Sequence, residues 1–187
     1  MSGVLIATKV HMPALRTGHI RREALLARLD AGLARGHRLF LLSAPAGYGK
    51  SSLIAEWISA RDLTAAWLTL DDGDNDPARF IAYLVGAVQT ARPQASARTL
   101  DMLSAPGSPA PELFLAPLVN DLDEPAAPLL IVLDDYHAIQ QQIVHAAVAF
   151  LIDYLPAHVR VIIASRADPP LPLARLDLCQ ALLALLP

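Results

Sequence analysis

Cysteine, lysine and long apolar runs are scarce or absent in this sequence of 187 residues. The single cysteine, Cys179, permits no internal disulfide and fits a reducing cytosol, so we expect a cytoplasmic protein. No apolar run approaches the ~20 residues that span a bilayer. The short run Val4–Ala7 has no basic residue before it, so we expect no signal peptide. Because 54% of the residues are hydrophobic, wholesale disorder is excluded and one domain with its own core is expected.

Only two lysines occur, Lys9 and Lys50, against thirteen arginines. Lys50 lies in a small-residue segment that follows an apolar run and has the pattern of a phosphate-binding loop: Ala44, Pro45, Ala46, Gly47, Tyr48, Gly49, Lys50, Ser51 and Ser52. Backbone N–H groups and the positive end of the following helix would face the phosphates. Lys50 would contact the β- and γ-phosphates, Ser51 would bind Mg²⁺ and Ser52 would reach a phosphate oxygen. The strict pattern begins with glycine, where this chain has Ala44.

The charges are divided unevenly along the chain, although the net charge is only −3. Residues 1–50 contain eight Lys/Arg and two Asp/Glu, whereas residues 51–187 contain seven and sixteen. The basic part contains the loop, and no aromatic residues interleave its charges for base stacking. It therefore favours a nucleotide site over a nucleic-acid surface.

Apolar periodicity predicts alternating strands and helices. Predicted strands cover 38–43, 65–70, 129–133 and 159–164, and predicted helices cover 22–33, 50–60, 77–91, 111–123, 141–155 and 173–185. The residues between 92 and 111 are predicted to form a loop because they are rich in Pro, Ser, Ala and Gly. Alternating strands and helices favour a mostly parallel sheet with helices on both faces, an α/β fold.

Polar side chains end the third and fourth predicted strands. Asp134 and Asp135 follow the apolar run 129–133, and Arg166 follows the run 161–164. Because the carboxyl ends of parallel strands share one edge, both groups are expected near the phosphate loop. Asp134 would hold Mg²⁺ directly or through water, and Asp135 would orient or activate a water molecule. Arg166 would sense the γ-phosphate.

The acidic turn at 71–76 does not match a calcium loop, because no glutamate occurs twelve positions after Asp71, Asp72 or Asp74. Asp76 followed by Pro77 is instead typical of a helix N-cap. The six histidines form no zinc-binding pattern.

Four segments resemble the P-loop domain of the MalT-like (LAL) branch of LuxR-type transcriptional regulators, which are signal-transduction ATPases of the STAND class. These segments are residues 43–52, residues 66–80 with the string DNDPARF, residues 133–137, and residues 164–176 with the string ASRADPPLPLARL. Thr8-Lys9 and Ile20-Arg21 also fall where the family has a segment on the adenine side of its nucleotide. The resemblance extends over about residues 8–176.

The resemblance implies a three-layer P-loop NTPase of the ASCE/STAND type that binds ATP or ADP with Mg²⁺. It implies a switch in which ADP holds the regulator at rest, while an inducer and ATP allow self-association and transcription activation. Hydrolysis is slow or absent in such a switch. Asp135 and Arg166 would be the catalytic groups, Arg21 would join the loop in binding nucleotide, and Ser51 and Asp134 would hold Mg²⁺.

The family's sheet order is 5-1-4-3-2, and its fifth strand would follow residue 180. Since the family pattern stops after Leu176, we expect the fifth strand to be missing and the edge of strand 1 to be exposed. The expected organisation is a flanking segment at 1–36, a P-loop core at 37–176 and a helical tail at 177–187. Sensor and DNA-binding domains do not fit in this length, so DNA contact would need domains that this chain lacks.

Two alternatives stay open at the level of sequence. One is an interaction module of the same fold that does not hydrolyse nucleotide, or a decayed fragment of such a regulator. The other is a stand-alone kinase or metabolic ATPase, which is disfavoured because no acceptor-substrate site is recognisable.

Overall fold

Strands and helices alternate along the chain in the computed structural model, which describes residues 6–15, 21–93, 111–123, 127–173 and 182–185. The strands are β1 (Leu39–Ser43), β2 (Ala65–Thr69), β3 (Leu129–Asp134), β4 (Val159–Ser165) and β5 (Leu182–Leu185). The helices are α1 (Glu23–Ala34), α2 (Lys50–Ala60), α3 (Pro77–Ala91), α4 (Pro111–Leu122) and α5 (Gln142–Tyr154). Short 3₁₀ turns cover Ala7–Val10, Asp72–Asn75 and Tyr136–Ala138.

All five strands form one parallel sheet in the order β2-β3-β4-β1-β5. Read from the other edge, this is the order 5-1-4-3-2 implied by the family resemblance. Each βαβ connection places a helix on one face of the sheet, as parallel pairing requires. The prediction of an α/β fold with a mostly parallel sheet is confirmed.

The prediction that the fifth strand is missing is wrong. Strand β5 pairs with β1 in parallel, with Leu39 opposite Leu182 and Leu42 opposite Leu185. The prediction of a helix across 173–185 is therefore also wrong at these four residues; positions 174–181 lie outside the described residues. Leucine and alanine favour a helix by intrinsic propensity. The unpaired backbone groups along β1 override that preference, because β5 satisfies them by pairing.

Both faces of the sheet are buried, which explains why its strands are apolar without alternation. One core cluster contains Leu41, Leu68, Ile131 and Ile163 and packs against α3, α4 and α5. The other cluster contains the strand residues that alternate with these and point to the opposite face, such as Phe40 and Val132, and it packs against α1 and α2. The result is three layers, with helices on both sides of the sheet.

The 3₁₀ turn near the N-terminus packs against the core cluster that contains α3. Val10 belongs to the core cluster that includes α3, and the backbone N–H of Ile6 donates to the Tyr83 hydroxyl at 3.2 Å. Residues 94–110, most of the predicted loop, lie outside the described residues. Among the described residues, no helix is long and apolar enough to cross a membrane.

Candidate functional site

The phosphate-binding pattern occupies the turn between the end of β1 and the start of α2. Gly47 has φ +82° and Gly49 has φ +72°, a left-handed backbone region that favours glycine. Gly49 is the N-cap of α2, and its carbonyl accepts from Leu53 N–H at 2.9 Å. The glycines therefore permit the sharp reversal that places the start of α2 directly after the loop.

The loop curls around the side chain of Lys50. The Lys50 ammonium donates to the carbonyl oxygens of Ala44 at 2.6 Å and Pro45 at 3.1 Å. These two carbonyls belong to the first residues after β1, so the lysine at the start of α2 reaches back across the whole loop. The arrangement places one positive charge beside backbone N–H groups of a helix start, which is a suitable environment for an anion.

Asp134, the last residue of β3, joins this strand to the start of α2. Ser51 Oγ donates to Asp134 Oδ1 at 2.9 Å, and the backbone N–H of Asp135 donates to the same oxygen at 3.0 Å. Asp134 is only 4% exposed, and this burial raises the pKa of its carboxyl group. A serine hydroxyl and a buried carboxylate thus lie in direct contact at the foot of the loop.

Asp135 has a left-handed backbone with φ +55°, which is uncommon for a residue other than glycine. Its carboxylate is about half exposed and lies 3.8 Å from His137 Nδ1. The adjacent carboxyl groups of Asp134 and Asp135 therefore have different environments, one buried and one open to solvent. Such strained backbones cluster at functional sites.

The other predicted site residues lie at the same edge of the sheet or beside it. Arg166 is exposed and directly follows Ser165, which is in register with Ser43 at the end of β1. The N–H of Ala44 donates to the Ser165 carbonyl at 3.2 Å, so the end of β4 contacts the start of the loop. Ser52 and Tyr48 are exposed.

Arg22 contacts the loop, although the sequence interpretation named its neighbour Arg21. The Arg22 guanidinium donates from Nη1 to the Tyr48 carbonyl at 2.6 Å, and a Cβ at Gly49 would lie 3.1 Å from Nη2. Arg21 instead forms an ion pair with Glu23 at 2.8 Å. Arg22 immediately precedes α1. Glu23, an acidic residue in the first turn of α1, marks the start of this helix in the sequence and could have indicated which arginine directly precedes it.

The acidic turn after β2 forms ion pairs with two basic side chains, those of Lys9 and Arg79. Lys9 Nζ lies 2.9 Å from Asp71 Oδ2 and also donates to Asp74, whose side chain is fully buried. Arg79 Nε lies 3.2 Å from the other Asp74 oxygen. Asp71 and Asp74 form a capping box. The hydrogen bond from Lys9 lowers the pKa of Asp71.

The capping interpretation of this turn is confirmed. Asp76 is the N-cap of α3, with its carboxylate accepting from Arg79 N–H at 2.8 Å and Pro77 at the first helical position. Within the described part of the chain, no group of three or more His, Cys, Asp or Glu side chains could hold a metal ion.

Asn75 connects this turn to the loop that follows the two acids. Its Oδ1 accepts from the backbone N–H groups of Gln140 at 2.7 Å and Gln141 at 3.0 Å. Its Nδ2 donates to the carbonyls of Ala138 at 2.9 Å and Asp72 at 3.0 Å. One side-chain amide therefore satisfies four backbone groups in two loops.

Comparison with known proteins identifies relatives along nearly the whole chain. An HTH-type transcriptional regulator MalT from Cronobacter sakazakii is 35% identical over 180 residues, which cover 96% of this chain and 20% of the relative. A second MalT, from Yersinia enterocolitica, is 36% identical over 182 residues, or 97% of this chain and 20% of the relative. The chain is homologous to MalT regulators. No model of a known protein family matches it.

The fold of this chain also occurs in solved structures. Cdc6p from Pyrobaculum aerophilum aligns with a TM-score of 0.55 and 17% identity, over 93% of this chain and 46% of that one. A chain of the Drosophila ORC bound to DNA aligns with a TM-score of 0.54 and 12% identity, over 87% of each chain. At these identities the similarity concerns the fold alone, a three-layer α/β fold with a parallel sheet. The chain spans about a fifth of the length of the curated relatives that it matches.

Proposed function

We propose that this chain is the ATP- or ADP-binding switch domain of a MalT-like transcriptional regulator, with Mg²⁺ as cofactor. The observation that carries the proposal is the contact of Ser51 with Asp134 at the foot of a loop that encloses Lys50. A hydroxyl and a carboxylate oxygen are the hard ligands that Mg²⁺ prefers, and in P-loop proteins they come from these two positions. The residues present therefore fit the cofactor.

Each side chain has a distinct task in this proposal. Backbone N–H groups of residues 46–51 bind the phosphates, Lys50 neutralises the β- and γ-phosphates, and Ser52 reaches a phosphate oxygen. Ser51 and Asp134 hold Mg²⁺, which neutralises charge on the phosphates. The raised pKa of Asp134 means that burial disfavours its ionised form, so a bound metal ion would stabilise the carboxylate.

The half-exposed Asp135 and the exposed Arg166 complete the proposed site. Asp135 orients a water molecule and accepts its proton as the water attacks the γ-phosphorus and the bond to the bridging oxygen breaks. Arg166 stabilises the charge that develops on the γ-phosphate. Arg21 and Tyr48 belong to the same proposed site, on the side of the loop where Arg22 binds the Tyr48 carbonyl.

Calorimetric titration with ATP and Mg²⁺ tests the binding proposal. Wild type is expected to bind, and Lys50→Ala is expected to weaken binding at least ~10-fold, or about 1.4 kcal/mol. Arg28→Ala is the control, because it removes one positive charge from an exposed site on α1. Equal affinity in wild type and Lys50→Ala, or no binding by either, would contradict the proposal.

Release of phosphate over long incubations tests the slow hydrolysis. Asp135→Asn is expected to bind ATP as wild type does and to release no phosphate above background. Unchanged release would remove Asp135 from this role. A wild type that binds ATP without any release would favour the interaction module that does not hydrolyse nucleotide.

Self-association in response to ATP is the third part of the proposal. The relatives are named as HTH-type transcriptional regulators. In a switch of this kind, the nucleotide changes the population of an assembled state. Sedimentation velocity with ADP and with ATP should show a larger species only with ATP. DNA contact is assigned to regions outside this chain.

A further inference from the structure

A groove of about 520 Å³ lies at the edge of the sheet opposite the phosphate loop. Its walls include Leu33 near the end of α1, Leu63 between α2 and β2, and Leu130 and Arg160 at the amino ends of β3 and β4. Leu130 and Asp134 are four residue steps apart on β3, a distance of about 13 Å along the strand. The groove is therefore distinct from the proposed nucleotide site.

Arg160 brings a positive charge into this mainly apolar groove. Within the described part of the chain, its Nε is buried and has no hydrogen-bond partner, and its Nη1 makes a long contact of 3.4 Å with the Val159 carbonyl. Among the residues that the structure describes, no carboxylate forms a salt bridge with it. A buried donor without an acceptor is uncommon and costs free energy.

A second arginine increases this cost. Leu39 is in register with Val161, so Arg38, directly before β1, lies next to Arg160 at the amino ends of the two strands. Arg38 is itself held by a hydrogen bond to the Leu155 carbonyl. Burial and the charge of Arg38 lower the pKa of Arg160. A positive charge that lies near a second one and forms no salt bridge with a described carboxylate favours a bound anion.

The geometry points to a binding site for a small amphipathic carboxylate, with its head group on Arg160 and its apolar chain against Leu33, Leu63 and Leu130. The planar guanidinium matches the two oxygens of a carboxylate. The volume lies within the range of pockets that bind small molecules, and such pockets combine apolar walls with a few placed polar groups. The head group balances the positive charge of Arg160, which lines the groove.

Octanoate is a suitable probe for this site, with 1-octanol and acetate as comparisons. In a titration of protein with ¹³C-labelled leucine methyl groups, octanoate should shift the resonances of Leu33, Leu63 and Leu130 most. It should bind at least ~10-fold more tightly than either comparison, because octanol lacks the charge and acetate lacks the chain. Saturating ATP and Mg²⁺ should leave octanoate binding unchanged, so that failure here is distinct from failure of the nucleotide proposal.

Substitutions provide the decisive comparison. Arg160→Gln should weaken octanoate binding ~10-fold, whereas Arg28→Gln, an equal loss of charge on α1, should not change it. Leu63→Trp, which fills the groove from its rim and keeps Arg160, should abolish binding and serves if Arg160→Gln does not fold. Octanol binding as tightly as octanoate, unchanged affinity in Arg160→Gln, shifts confined to Leu42 and Leu53 on either side of the phosphate loop, or tighter binding of a glutamate-rich peptide would each overturn the proposal.

Discussion

Replacing Lys9 with methionine is expected to destabilise the domain by about 2–3 kcal/mol. Removing one partner of a buried ion pair costs about 3–5 kcal/mol because the other charge stays buried. Lys9 is 8% exposed, and its partner Asp74 is fully buried. Arg79 still contacts Asp74 at 3.2 Å in the variant, which places the cost at or below the lower end of that range.

Two further contacts keep this cost from being small. Lys9 Nζ lies 4.4 Å from the centroid of the Tyr83 ring, a cation–π contact of about 0.5–1 kcal/mol. Lys9 also pairs with the half-exposed Asp71, a contact that solvent screens and that adds little. Methionine has a similar length and keeps the apolar part of the side chain, so the measured loss is that of the charge.

Urea unfolding followed by tryptophan fluorescence measures this loss, because Trp57 and Trp67 are both buried in the core between the sheet and helices α1 and α2. A double-mutant cycle with Asp74→Asn separates the ion pair from other effects. The double variant should be more stable than the two single losses imply, by at least about 1 kcal/mol. Arg61→Met, which breaks the exposed pair with Asp30, is the control and should cost much less.

Additive losses in this cycle, within about 0.5 kcal/mol, would refute the argument that Lys9 compensates a buried charge. A Lys9→Met variant as stable as wild type would do the same. Either result would mean that Arg79 alone is sufficient to balance the turn.

Three further predictions concern the site and its surroundings. Gly49→Ala and Gly47→Ala both place a side chain at positive φ, at about 1–2 kcal/mol each, but only Gly49→Ala also meets Arg22 and should unfold at lower urea concentration. Burial lowers the pKa of His145 below the ordinary 6.5. The unfolded chain therefore takes up a proton at a higher pH than the folded protein, and the free energy of unfolding should fall as the pH drops from 6.5 through the folded pKa. His145→Gln should make the urea midpoint less dependent on pH in this range. Burial raises the pKa of Asp134, so Asp134→Asn should raise the free energy of unfolding at neutral pH by on the order of 1 kcal/mol while calorimetry shows weaker Mg²⁺-dependent ATP binding.

Each of these has a contrary outcome. Equal urea midpoints for the two glycine variants would show that the Arg22 contact carries no strain. A pH slope unchanged in His145→Gln would assign the acid sensitivity to other groups. A less stable Asp134→Asn would mean that its hydrogen bonds from Ser51 and Asp135 outweigh the cost of burying its charge.

Local signals were sufficient to predict the elements around the site. Lys50 begins α2 and Asp76 caps α3 because each depends on residues within one helical turn. The continuous apolar run before Asp134 predicted a strand buried on both faces. The parallel arrangement then brought Asp134 to Ser51, since strands of one sheet end at the same edge.

Features that depend on distant partners were not predictable in the same way. Strand β5 forms because β1 offers an unpaired edge, which local leucine and alanine propensity cannot reveal. Lys9 was associated with the adenine side of a nucleotide, but the structure places it against Asp71 and Asp74, far along the chain. The contact of Arg22 with Tyr48 likewise requires α1 and the loop to be placed first.

The four hydrogen bonds of Asn75 connect the turn after β2 with the loop after β3. They fasten the loop after Asp135 to the acidic turn, and Asp74, the preceding residue, holds Lys9. A displacement of Asp135 is therefore transmitted to the 3₁₀ turn at Ala7–Val10 through the Asn75 amide and the Asp74 carboxylate, in parallel with the pairing of β2 and β3. The segment around Lys9 and the acid pair are thus mechanically coupled by side chains as well as by the sheet.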